Sequence, residues 1–176
     1  MTSGEDYTAT ISFQLSQVGA RLAQEFADRL RQLGLTPREF AVLSSIEREG
    51  PRTQQQLADS LTMHRNNMAT LADQMHRAGL IERRPHPQDG RALQVRLTTL
   101  GRRRLSAAAA VAPALDAEVT EQLPPEQLAA VRSALSTLTT ALHLSPGIHP
   151  HLAVNYPGDR TRPGSPAGIQ PTATSE

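Results

Sequence analysis

TQQQLADSLTMHRNNMATLADQMHRAGLIERRPHPQDGRALQVRLT, residues 53–98, changes its hydrophobic period once, at Gly79. Up to that glycine the spacing is helical. Thr53 and Gln56 form a capping box that opens a short helix through Leu57, Ala58 and Leu61. After Thr62 and Met63 a second helix runs to about Ala78, with Met68, Leu71, Ala72 and Met75 at inward positions. Beyond Gly79 the period falls to two. Residues 80–84 read as a short strand and Pro87-Gln88-Asp89-Gly90 as a turn. Residues 92–97 read as a second strand, with Leu93, Val95 and Leu97 on one face. Two short helices joined by a tight turn and followed by a two-stranded β-hairpin make a winged helix-turn-helix.

The flanks are helical too. Ile11, Leu15, Val18, Leu22, Phe26, Leu30 and Leu33 recur every three or four residues, and Gly34 ends their helix. Thr36-Pro37-Arg38-Glu39 is a capping box with proline at the first helical position, opening a helix through Phe40, Leu43 and Ile46 to Gly50. Downstream, Thr98 caps one long helix through Leu100, Leu105, Val111, Leu115 and Val119, which Pro113 should kink. Pro124-Pro125-Glu126 opens a last helix with Leu128, Val131, Leu135, Leu138 and Leu142 as its stripe. The 32 residues from Ser145 hold six Pro and four Gly and read as a disordered tail. The expected organisation is therefore mainly α. A flexible N-terminus (1–9) precedes one domain (10–143), and a tail (144–176) follows it. Within the domain, the winged helix-turn-helix (about 36–98) lies between terminal helices (about 10–34 and 99–143). The stripes of those terminal helices are too long for one small core to cover. Their expected partner is the same pair in a second copy, which makes them dimerisation helices of a two-fold homodimer.

Composition removes several function classes. The chain has 176 residues, 38% apolar and 3% aromatic, and no cysteine. Disulfide scaffolds, thiolate metal sites and thiol chemistry are thereby excluded. No apolar run reaches the roughly 18–20 residues of a membrane span. MTSGEDYTAT at the start is polar and acidic, unlike a signal peptide, so a cytoplasmic protein with no membrane partner is expected. No nucleophile elbow, phosphate loop, metalloprotease helix or dinucleotide turn occurs, and no enzyme is expected. His149 and His151 lie in the tail, and His64, His76, His86 and His143 have no ligand spacing, so neither a metal nor another cofactor is expected.

Charge is informative by position. All 18 basic residues are arginine, and the net charge is only +1. Residues 64–104 nevertheless carry nine Arg against three acids, whereas the segments on either side are net negative. A basic block across a helix-turn-helix and its hairpin points to a polyanion. With Met68, Leu71 and Met75 inward, the second helix turns Asn66, Thr70, Asp73 and Arg77 outward and puts Arg65, Asn67 and Gln74 on the flanks. Asn can pair with adenine and Arg with guanine in a major groove. Arg65, Asn66, Asn67 and Thr70 are thus candidates for base contacts, with Gln74 and Arg77 nearer phosphates. Arg91 sits just past the hairpin turn, where a long cation can enter a minor groove. Arg83, Arg84 and Arg96 are candidates for phosphate contacts along the hairpin.

The order of elements resembles the MarR (multiple antibiotic resistance regulator) family of winged helix-turn-helix transcription factors. The wing carries the resemblance most specifically: Gly79-Leu80-Ile81-Glu82-Arg83, then Asp89-Gly90-Arg91, then Val95-Arg96-Leu97-Thr98 and Gly101. It implies that Arg91 enters the minor groove while Asp89 steadies the wing. It also implies a homodimeric repressor on a pseudo-palindromic operator of double-stranded DNA. In that family a small, often aromatic effector commonly releases the DNA, and Phe13, Phe26, Phe40 and Arg21 are conceivable pocket residues here, although core packing explains the aromatics as well. Two positions depart from the pattern: His64 stands where a small capping residue is usual, and Thr70 where arginine is common. The alternatives are a winged helix that docks a protein and a DNA-binding protein that needs no effector.

Overall fold

In the computed structural model, residues 6–86 and 89–144 are described, with the backbone alone at 86 and 89–92. Among the described residues, seven α-helices and three strands follow one another: α1 (Ile11–Gln32), α2 (Pro37–Glu49), β1 (Arg52–Thr53), α3 (Gln54–Ser60), α4 (Arg65–Arg77), β2 (Ile81–His86), β3 (Asp89–Leu97), α5 (Thr99–Ala108), α6 (Val111–Thr120) and α7 (Pro125–Ala141). Ahead of α1, Asp6 caps a 3-10 turn at Tyr7–Ala9, within the stretch expected to be flexible. The tail from residue 145 lies outside the described residues.

Local chemistry explains the boundaries. The capping boxes at Thr36/Glu39 and Thr53/Gln56 both form. Helix α4 ends in a Schellman motif: Gly79 N–H donates to His76 O and Leu80 N–H to Met75 O, with Gly79 at φ +69°. The sheet is antiparallel in the order β1-β3-β2, so the wing has three strands rather than two. The extra strand is the two residues between α2 and α3, with Arg52 opposite Val95 and Thr53 opposite Gln94. Strand β3 begins at Asp89, inside the stretch expected to turn, and Pro87 and Gln88 lie outside the described residues. Leu93 shares the inward face of Val95 and Leu97 in register but is 52% exposed, because it lies beyond the helices that cover the other two.

The expected long helix after the wing is not continuous. Pro113 has no N–H, and its ring would clash with the carbonyl of Ala109 in an unbroken helix. The chain therefore ends α5 at Ala108 and restarts at Val111, leaving Pro113 in the first turn of α6. Ala109 and Ala110 between the two helices keep right-handed helical dihedrals, so what Pro113 interrupts is the hydrogen-bond ladder, at the place where the sequence puts a kink.

One aliphatic core joins α1 to α5 and the sheet, built on residues such as Leu30, Leu43, Leu57, Met68, Met75 and Val95. Phe26 and Phe40 pack against it edge to face, 5.7 Å apart. The terminal helices are different. Ile11, Leu15 and Val18 of α1 and Val131, Leu135 and Leu138 of α7 are exposed, and α7 buries no residue at all.

Where the wing returns to the helices the fit is closest. Thr98 Oγ1 donates to Gly79 O at 2.6 Å and accepts from Gly101 N at 3.0 Å, while Thr98 N–H donates to Leu80 O. A Cβ on Gly101 would stand 2.1 Å from Leu80 O, closer than any packed carbon can approach. Gly101→Ala should therefore cost about 3 kcal/mol in urea unfolding. Ser45 provides the opposite case: its hydroxyl is buried at 1% exposure with no partner. Ser45→Ala should be neutral or stabilise by up to about 1 kcal/mol in the same assay.

Candidate nucleic-acid interface

Helix α4 presents the face expected of it. Met68, Leu71, Ala72 and Met75 are buried, whereas Arg65, Asn66, Thr70, Asp73, Gln74 and Arg77 are exposed and Asn67 is half-buried. The polar groups are partly committed within the helix. Thr70 Oγ1 donates to Asn66 O at 3.0 Å, which leaves its lone pairs as acceptors, and Arg77 Nε donates to Asp73 O. His64 takes the part of the small capping residue it replaces. Its Nδ1 accepts from Asn66 N–H at 3.3 Å, so the ring caps α4.

The turn before α4 is a Schellman motif as well, with Met63 N–H donating to Ala58 O and Thr62 in the left-handed position at φ +51°. Glycine is usual there, and a β-branched threonine carries strain. The turn holds α4 at a fixed angle to α3 despite that cost.

The wing packs on the other end of α4. His76 Nδ1–H donates to Ile81 O at 3.1 Å, joining the last turn of the helix to the first residue of β2. Antiparallel register puts Ile81, Arg83 and Pro85 opposite Leu97, Val95 and Leu93 on one face, and Glu82 and Arg84 opposite Arg96 and Gln94 on the other. Arg84 and Arg96 are exposed on that second face. Arg84 pairs with Glu82 at 2.9 Å, and Arg96 donates to Gln94 at 3.3 Å.

Arg83, in contrast, faces the helices. Its guanidinium pairs with Asp73 of α4 and is only 25% exposed. That neighbour holds the Asp73 carboxyl below the ordinary aspartate value, through the hydrogen bond first and the nearby charge second. The candidate residues therefore divide into three groups. Arg65, Asn66, Asn67, Thr70, Gln74 and Arg77 share α4, Arg84 and Arg96 share the outer face of the wing, and Arg83 belongs to neither surface. Asp89 and Arg91 lie in β3 next to the turn, and their side chains are outside the described residues. The spacing in the sequence held the signal for Arg83: neighbours in a strand point to opposite faces, which already sets Arg83 apart from Arg84.

A helix-turn-helix closed by an antiparallel wing, with a polar helix face open beside it, defines a winged helix-turn-helix protein. Residues 35–93 match the family model described as MarR family. The chain is 32% identical over 119 residues to the HTH-type transcriptional repressor Rv2887 of Mycobacterium tuberculosis, covering 68% of this chain and 86% of that one. Among solved structures it is similar to a probable transcriptional regulator from Pseudomonas aeruginosa, at 31% identity and a TM-score of 0.61 over 74% of this chain and 97% of that one. It is also similar to the transcriptional repressor CouR bound to a 23-mer DNA duplex, at 26% identity and a TM-score of 0.66 over 79% and 99%. The chain belongs to the MarR family.

Thr62→Gly should relieve the strain in the turn and raise stability by about 1 kcal/mol, read as a higher urea midpoint at unchanged slope. An unchanged or lower midpoint would show that the threonine side chain contributes more than its backbone costs.

Proposed function

We propose that the protein is a DNA-binding transcription regulator of the cytoplasm that acts as a repressor. Two copies would place their α4 helices in successive major grooves of a pseudo-palindromic operator. The observation that carries this reading is the exposed face of α4. Asn66 and Thr70 lie one turn apart on it, Arg65 and Asn67 flank its N-terminal half, and Gln74 and Arg77 lie farther along. These are the side chains that read base edges and hold phosphates. Arg84 and Arg96 extend the surface along the wing, and the wing signature shared with the MarR family supports a role for Arg91 in the minor groove with Asp89 steadying the wing. The relatives named as repressors and the DNA-bound CouR support the same reading.

The homodimer rests on the apolar residues that a single chain leaves open. Ile11, Leu15 and Val18 on α1, and Val131, Leu135 and Leu138 on α7 with Leu142 at its C-terminal cap, form exposed stripes on helices at the two ends of the domain. A second copy covers both at once and sets the spacing of the two α4 helices. Release by a small effector is part of the same proposal, because a ligand that prefers one spacing shifts the dimer away from the operator. Phe26 and Phe40 are occupied with each other in the core, and Arg21 pairs with Glu25 at the surface. That favours the packing role for the two aromatics and leaves the effector to other lining residues.

The test is a gel shift over a range of salt, using a duplex selected by the protein from a randomised pool. With four to six phosphates neutralised per subunit, affinity should fall steeply as salt rises. Asn66→Ala should lose mainly the discrimination between selected and scrambled duplexes, by roughly 10- to 100-fold. Arg91→Ala should weaken both duplexes alike. A flat salt dependence would contradict the proposal. A monomeric mass at micromolar concentration would remove the dimer from it.

A further inference from the structure

Arg83 is the one wing arginine with described contacts that is turned away from solvent, and the groups it meets come from two different helices. Nη2 donates to Asp73 Oδ1 of α4. In the amide orientation that satisfies both groups, Gln54 Oε1 of α3 accepts from Nη2 at 2.9 Å and from Nε at 3.2 Å. One guanidinium therefore ties β2 to both helices of the helix-turn-helix. The fork geometry of arginine serves two acceptors at fixed angles, which a lysine ammonium does not reproduce. The register agrees with this placement, since Arg83 lies opposite Val95 on the face that covers the core. Gln54 occupies the first position of α3, directly after β1, so the same bridge also fastens the edge strand.

We infer that Arg83 is a positioning residue for DNA recognition, whose bridge to Asp73 and Gln54 fixes the wing against α4 and so sets where Arg84, Arg96 and the wing turn meet the duplex. The inference rests on the DNA-binding function proposed above and replaces the phosphate contact expected of Arg83 from sequence. It also gives Asp73 a purpose. An aspartate on a DNA-facing helix repels phosphate, and its presence there is explained when its charge holds the wing in place.

Two roles for Arg83 predict opposite signs. The full-length protein and its Asp73→Asn, Arg83→Gln, Arg83→Lys and double Asp73→Asn/Arg83→Gln variants are compared on the duplex selected by the wild type. Binding is measured at several salt concentrations, well below each variant's melting temperature. For the positioning role, Asp73→Asn and Arg83→Gln each weaken binding about tenfold, and the double variant is no weaker than either, because one bridge has been broken twice. The slope of log affinity against log salt stays at its wild-type value in all of them. Arg83→Lys keeps the charge but serves only one acceptor, and falls between wild type and Arg83→Gln.

For a phosphate contact, Asp73→Asn tightens binding by removing a repelling charge. Arg83→Gln then lowers the salt slope by about one per subunit. Either of these results overturns the inference, as do variants that bind like wild type. If the wild-type protein selects no duplex, the DNA-binding function itself fails and the positioning role goes with it. If wild type binds and the two single variants lose affinity additively, only the positioning role fails.

Discussion

The hydroxyl of Thr98 is the point on which the DNA-binding half of the molecule depends. It donates to the carbonyl of Gly79, where α4 has just ended, and accepts from the N–H of Gly101, where α5 has just begun. The backbone of the same residue is bonded to Leu80, the residue before β2. Recognition helix, wing and following helix thus meet around one side chain. The contact is possible only because residue 101 has no Cβ, and the chain reverses after α4 only because residue 79 adopts a left-handed conformation. Glycine, threonine and glycine at these three positions are one structural solution, which explains why they occur together in the wing signature.

Outward from that point, arginines are used in two ways. Some hold the fold together. Arg104 Nη1 donates to Leu33 O at 2.7 Å at the end of α1, and Arg102 pairs with Glu47 between α5 and α2. Arg29 makes a two-point contact with Glu118, at 2.8 and 2.6 Å, that fastens α6 to α1. Others, among them Arg65, Arg77, Arg84 and Arg96, lie exposed on α4 or the wing. The net positive charge of residues 64–104 is therefore an upper bound on what a polyanion meets. Arg83, Arg102 and Arg104 belong to that block by sequence and to the scaffold by geometry.

Much of this was legible because it depends on local rules. Capping boxes, glycine stops and the change of period at Gly79 set most helix boundaries, and the inward quartet of α4 followed from spacing alone. The features that were not legible depend on tertiary partners or on very short signals. Strand β1 is two residues long and carries no period, so only its pairing with β3 reveals it. Pro113 announced a disturbance in the helix, but where the hydrogen-bond ladder gives way depends on how the flanking segments pack. In this chain α5 packs with α2 and the sheet, whereas α6 is fastened to α1. His64 stands where a small capping residue is usual, and its imidazole nitrogen accepts the N–H of Asn66 in the manner of such a cap. Arg83 reads in sequence as one more cation of the basic block, and only the tertiary fold brings Asp73 of α4 and Gln54 of α3 to its guanidinium.

The central claim is that the exposed face of α4, presented twice by a dimer, reads DNA. Chemical footprinting of the bound protein on its selected duplex tests that geometry directly. Two protected major-groove segments centred about one helical turn apart, each flanked by a protected minor groove on its outer side, are the result the account predicts. One protected segment, or protection of minor grooves alone, would contradict it.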